Sequence, residues 1–125
     1  MEKAISIDGM VVNFKATAAT PRVYRQAFGR DIYLDMNRLF EEMSTDSDIS
    51  MESLEAYENM AYCMNSQAEG RPLKRETIEE DMAEWLDQFA TFSIYKIIPQ
   101  LMDLWKLNTE QTVKPKNQPA RQKDQ

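Results

Sequence analysis

The chain has 125 residues, a net charge of −6, 29% charged residues, one cysteine and no histidine. Without histidine, Ser-His and Cys-His nucleophile systems, the usual zinc sites and imidazole acid–base chemistry are excluded. Cys63 alone forms no internal disulfide and reads as a small buried side chain in a reducing compartment.

This length fits a single domain. No run of about 18 apolar residues is free of charge, and the opening MEKAISIDGM lacks the apolar core of a signal peptide. Neither a membrane span nor a secretory leader is therefore expected. Nine methionines are many for this length; Met fills gaps in cores and also serves adaptable binding surfaces.

In chain order, Lys3–Ile7 and Met10–Phe14 flank Asp8-Gly9, the signature of a two-residue hairpin turn. Such a turn pairs Ile7 with Met10, Ile5 with Val12 and Lys3 with Phe14. Ile5, Ile7, Met10, Val12 and Phe14 then share one face, which should dock on helices because an isolated hairpin is marginal in water. The outer edge could pair with a partner strand.

Thr20-Pro21 reads as an N-cap followed by proline at the first helical position, opening a short helix over Pro21–Phe28 that stops at Gly29. Asp31 caps a second helix whose stripe is Ile32, Met36, Leu39, Phe40 and Met43. The break STDSDI at 44–49 holds Asp46 and Asp48, but lacks the glycine and terminal glutamate of a calcium loop. Ser50 caps a third helix, Met51–Gln67, with Leu54, Tyr57, Met60, Ala61 and Met64 inward, ending at Gly70 and Pro72. Thr77 and Glu80 have capping-box spacing, and Ile78, Met82, Trp85, Leu86 and Phe89 follow at helical intervals, with a joint at Ala90–Ser93.

Phe89–Leu107 is the most apolar stretch, with Ile94, Ile98, Leu101 and Trp105 on one stripe and Ile97, Leu101 and Leu104 on the next. A helix apolar on so wide a face must be packed on several sides, so this one is expected to supply much of the core. Pro99 predicts a kink or break near Ile98. Beyond Leu107 the pattern stops, and 108–125 reads as a flexible polar tail. The expected architecture is mostly α (α+β): an N-terminal β-hairpin docked on about four to five helices over residues 1–107, then the tail.

Charge is uneven: residues 1–38 carry a net +2, residues 39–107 a net −10 and residues 108–125 a net +2. The acidic body would repel phosphate, so nucleic-acid binding is disfavoured. No Gly-rich phosphate loop, CxxC pair or nucleophile elbow is present. Glu41-Glu42 and Glu79-Glu80-Asp81 are the densest carboxylates and read as helix-end and surface charge. From the residues alone, the chain is a small acidic helical binding or assembly protein, with no enzyme activity and no cofactor or metal expected.

Three stretches carry a resemblance further. FKATAATPRVYRQAFGRDIYLDMNRL at 14–39 resembles the N-terminal motif of tail assembly chaperones of long-tailed bacteriophages and prophages of Gram-positive bacteria. EWLDQFATFSIYKIIPQLMDLWKLNTEQT at 84–112 resembles their C-terminal helical segment, and LEAYENMAYCM at 54–64 is similar to the helix between. The resemblance implies a protein of the host cytoplasm, absent from the finished virion. It implies binding to the tape measure protein, which is kept soluble while major tail tube protein polymerises around it. Further partners would be a second copy of the chain or a longer frameshift product.

A tape measure protein is a long helical chain with exposed apolar stripes, which a Met-rich helical surface suits. Leu101, Met102 and Trp105 on the C-terminal helix are the expected contact residues. Two other classes compete: an acidic interaction or inhibitor protein that mimics nucleic acid, and a small carboxylate-and-metal enzyme.

Overall fold

Asp8 and Gly9 adopt positive φ, 54° and 81°, as a two-residue turn matched to strand twist requires. They join β1 (Glu2–Ile7) to β2 (Met10–Lys15) in an antiparallel pair with Ile7 opposite Met10, Ile5 opposite Val12 and Lys3 opposite Phe14. This is the register that the Asp-Gly turn predicts. Ile5, Ile7, Val12 and Phe14 are buried. Met10, expected with them, is exposed: it sits beside the turn and borders an open hollow, so no helix covers it.

The computed structural model describes residues 1–45 and 48–113, with 108–113 described as helix only. Six helices follow the hairpin among the described residues: α1 (Thr20–Phe28), α2 (Ile32–Met43), α3 (Met51–Glu69), α4 (Ile78–Leu86), α5 (Ser93–Lys96) and α6 (Ile98–Val113). The Asp46 half of the STDSDI segment lies outside the described residues.

Helix α2 begins as its sequence predicts, with the Asp31 carboxylate accepting from the Tyr33 and Leu34 amides. Ser50 caps α3 in the same way through the Ser53 amide. Thr20 is a correction. It lies inside α1 with Ala19 in the cap position, and its buried hydroxyl donates to Gln67 Oε1 at 2.7 Å, tying α1 to α3. Thr77 is another. A 3-10 turn, Arg75–Thr77, precedes α4, and the Thr77 hydroxyl donates to Asp81 instead of closing a capping box.

The centre of the molecule is α3, not the Phe89–Leu107 stretch expected to organise it. Every residue from Met60 to Ser66 is buried. A helix buried on all sides needs small side chains where its neighbours approach, and Ala61, Cys63 and Ser66 supply them. The hairpin, α1 and α2 pack around it. Asn65 donates from Nδ2 to the Asn13 carbonyl at 2.8 Å, joining α3 to β2.

The C-terminal stretch divides where Pro99 predicts. The backbone leaves the helix at Ile97, and Pro99 falls in the first turn of α6, where its missing N–H costs nothing. Ile94, Ile97, Ile98, Leu101, Leu104 and Trp105 are all buried, as their spacing predicts. Helix α6 runs to Val113, six residues past the expected boundary at Leu107. The rest of the predicted tail lies outside the described residues.

Two long-range ties fix this C-terminal layer. The Tyr57 hydroxyl donates to the Ile94 carbonyl at 2.6 Å within the core. The Asp8 carboxylate, at the hairpin tip, accepts from the Ala90 amide at 2.8 Å and the Ser93 hydroxyl at 2.6 Å.

Candidate functional site

Leu101, Met102 and Trp105 are 0, 3 and 4% exposed. The residues expected to meet a partner are thus core side chains, and the Trp105 ring packs 5.3 Å from that of Tyr33 on α2. Solvent reaches α6 at Pro99 and Gln100 and again at Asp103, Lys106 and Leu107, the last three of which border a hollow of about 330 Å³ with Lys3.

An open groove of about 570 Å³ lies between the second half of α3, the segment after it and α4. Its floor is aromatic. The Tyr62 and Trp85 rings lie 5.4 Å apart, tilted by 59°, and Trp85 meets Phe89 edge-on at 5.2 Å. Arg71 covers Tyr62, its guanidinium 5.4 Å from the ring centre, a favourable placement for a cation over a π face. That guanidinium also donates to Ser66 Oγ at 2.7 Å and Asn65 Oδ1 at 3.1 Å. Arg71, Asn65 and Asn13 therefore form a chain of hydrogen bonds from groove to hairpin. Beyond Trp85 the groove opens into a hollow of about 220 Å³ bordered by Met10, Val11 and Val12. Trp85 and Phe89 were legible only as residues at helical intervals and Tyr62 carried no signal, because the groove depends on how the segment after Gly70 folds back.

On the other face of α4, two smaller hollows of about 210 and 230 Å³ adjoin at Glu58 and Leu86. The first is bordered by Glu55, Glu58, Glu79, Met82, Ala83 and Leu86. The second is bordered by Glu58, Leu86, Asp87, Ile94 and Tyr95, among others. No lysine or arginine borders either. The Tyr95 hydroxyl donates to Glu58; burial and then this carboxylate push the phenol up to about 12.

Several other titratable groups serve the fold. Burial pushes the Cys63 thiol up to about 12, away from the range where a thiolate acts as nucleophile. Glu42 accepts from the Ser50 amide at 2.7 Å and pairs with Arg38 at 3.2 Å, fastening α2 to the start of α3. Asp81 of the second carboxylate cluster holds the Thr77 hydroxyl. Among the described residues no three Cys, His, Asp or Glu side chains are gathered as a metal site needs, and no helix is long and apolar enough to cross a membrane.

Family models, curated proteins and solved structures were compared with the chain, and none matches.

Proposed function

We propose that the chain is a tail assembly chaperone of a long-tailed bacteriophage or prophage, acting in the host cytoplasm and leaving before the virion is complete. It binds helical segments of the tape measure protein and holds them soluble while tail tube subunits polymerise around them. The observation that carries this reading is the ordered resemblance of residues 14–39, 54–64 and 84–112. In the fold these stretches supply the end of β2, α1, α2, the middle of α3, the end of α4 and most of the C-terminal layer, so the resemblance spans the packed body. Open grooves on both faces of α4 support a binding role, and a large acidic excess over residues 39–107 favours solubility of the complex.

Co-expression tests the reading. With its tape measure protein, the chain is expected to keep that protein soluble and to co-purify with it. A wild-type chain that leaves the tape measure protein insoluble and unbound, even with the longer product supplied, overturns the proposal. Capture of a DNA-binding enzyme in its place would favour the nucleic-acid mimic.

A further inference from the structure

We infer that the free edge of β2 at Val11 is a site for strand addition, taking an extended, uncharged segment of a protein partner with alternating apolar residues. The ladder decides which main-chain groups face outward. Met1 and Ala16 exchange both of their bonds, at 3.0 and 2.8 Å. In an antiparallel pair such bonded couples recur at every second position. Lys3 with Phe14, Ile5 with Val12 and Ile7 with Met10 are therefore bonded, whereas Ser6 opposite Val11 and Ala4 opposite Asn13 are not. Val11 and Asn13 thus turn N–H and C=O away from β1. The Asn13 carbonyl shows this directly, because Asn65 Nδ2 reaches it from outside the ladder at 2.8 Å. The Val11 N–H and C=O make no hydrogen bond among the described residues, and Val11 is 71% exposed.

A slot lies beside this edge. The hollow of about 220 Å³ is bordered by Met10, Val11 and Val12, three consecutive residues. Side chains alternate across a strand, so a hollow that touches all three runs along its edge. Glu69 at the end of α3, Trp85 of α4 and Gln88 close the far side. A helix with its side chains is about 10–12 Å across, too wide for such a slot, whereas an added strand lies only about 4.7–4.9 Å from its neighbour. Glu69 and Arg71 put one charge of each sign on the border, which suits a neutral chain better than a charged one. At Arg71, Trp85 and Gln88 the slot continues into the groove of about 570 Å³, so a longer segment can run on past the edge.

The pairing sets the partner's pattern. One residue of the added strand exchanges both main-chain bonds with Val11. Its two neighbours point to the face that carries Met10 and Val12, where Met10 is left exposed. Apolar side chains at those two positions cover Met10 and approach Trp85. The Asn65 amide already occupies the edge at Asn13, so the added strand pairs at Val11 alone and open-ended stacking of strands is blocked. The inference goes beyond the chaperone reading and does not rest on it.

The test titrates an end-blocked heptapeptide, Ser-Thr-Val-Thr-Val-Thr-Ser, into the full chain and follows amide shifts and hydrogen exchange. In the free protein the Val11 amide is expected to exchange fast and that of Val12 slowly. The peptide should slow exchange at Val11 and centre its shifts on residues 10–12 and 85–88. Methylating the backbone nitrogen of its central Thr removes the donor to the Val11 carbonyl and should weaken binding about tenfold. Methylating its two valines, whose N–H groups point away from β2, should change binding less than about threefold. V11P removes the Val11 donor at a position outside the ladder, where an edge strand tolerates proline, and should weaken binding about as much as the central methyl group. V11A keeps the main chain and should keep the binding.

If V11P fails to fold, the methylated peptides on the wild-type chain decide. Equal binding by the peptide with and without its central methyl group would mean side-chain adhesion and overturn strand addition. Shifts centred on Ala4 and Ser6 would place the peptide on the β1 edge and overturn the site. A Val11 amide already protected in the free protein, or no binding at millimolar peptide, would refute it as well. The tape-measure co-expression experiment stands on its own result in every case.

Discussion

Asp35 interrupts the apolar stripe of α2 yet is 6% exposed. Its Oδ2 accepts from the Tyr24 hydroxyl at 2.7 Å and from Arg30 Nε at 2.9 Å, and its Oδ1 from Arg30 at 2.7 Å. Burial alone would raise this carboxyl, but the Arg30 fork and the Tyr24 hydroxyl outweigh it and hold it below the usual range. The linkage follows from that direction. The unfolded chain takes up the Asp35 proton first, so the stabilisation is present above about pH 3.9 and is lost as pH falls through the lower folded value. Replacing Asp35 with Asn is expected to cost ~1.5–3 kcal/mol at pH 7, the range for hydrogen bonds to a charged group. In urea titrations the deficit should shrink toward zero as the pH drops below both values. A deficit that stays constant down to pH 2 would assign the cost to packing.

The hairpin was legible down to its register, because Asp-Gly fixes the turn and alternation fixes the face. The caps at Asp31 and Ser50 and the break before Pro99 were legible for the same local reason. The centrality of α3 was not. Asn65 and Ser66 are polar side chains with no apolar spacing to mark them as interior, and only the neighbouring β2 carbonyl and the Arg71 guanidinium make them buried, satisfied groups. Leu101, Met102 and Trp105 have the residue types of an interface and of a core alike, and burial separates the two only once the fold is known. The open hollows were illegible because they lie between segments distant in sequence. Two predictions belong to these elements. Placing Asp at Val12 should unfold the protein or detach the hairpin, since an unpaired charge would be buried; an unchanged melting temperature with unchanged exchange protection at Ile5 would refute docking. Changing Tyr57 to Phe leaves the buried Ile94 carbonyl without its donor, at an expected cost of ~1–3 kcal/mol. Amide exchange should then quicken around Ser93–Ile97 more than in α3.

For the whole molecule, buried apolar side chains among the described residues end at Trp105, and residues 114–125 offer only alanine and proline among their non-polar types. Deleting 114–125 should therefore leave the melting temperature within about 2 °C, because surface changes rarely exceed ~0.5 kcal/mol. A drop of several degrees would show the tail packing on the body. The Asp8 clamp has a consequence for how the chain is made. The hairpin tip closes on Ala90 and Ser93, 82 and 85 positions downstream. On a ribosome advancing at ~5–20 residues per second, roughly 4–16 s pass between synthesis of the turn and arrival of its partners. During that interval the nascent hairpin's apolar face awaits α3, and its tip awaits α5. A chain stalled before Ala90 should hold the strands but lack the clasp, leaving the first-made segment to wait on a late-made one for its full anchorage.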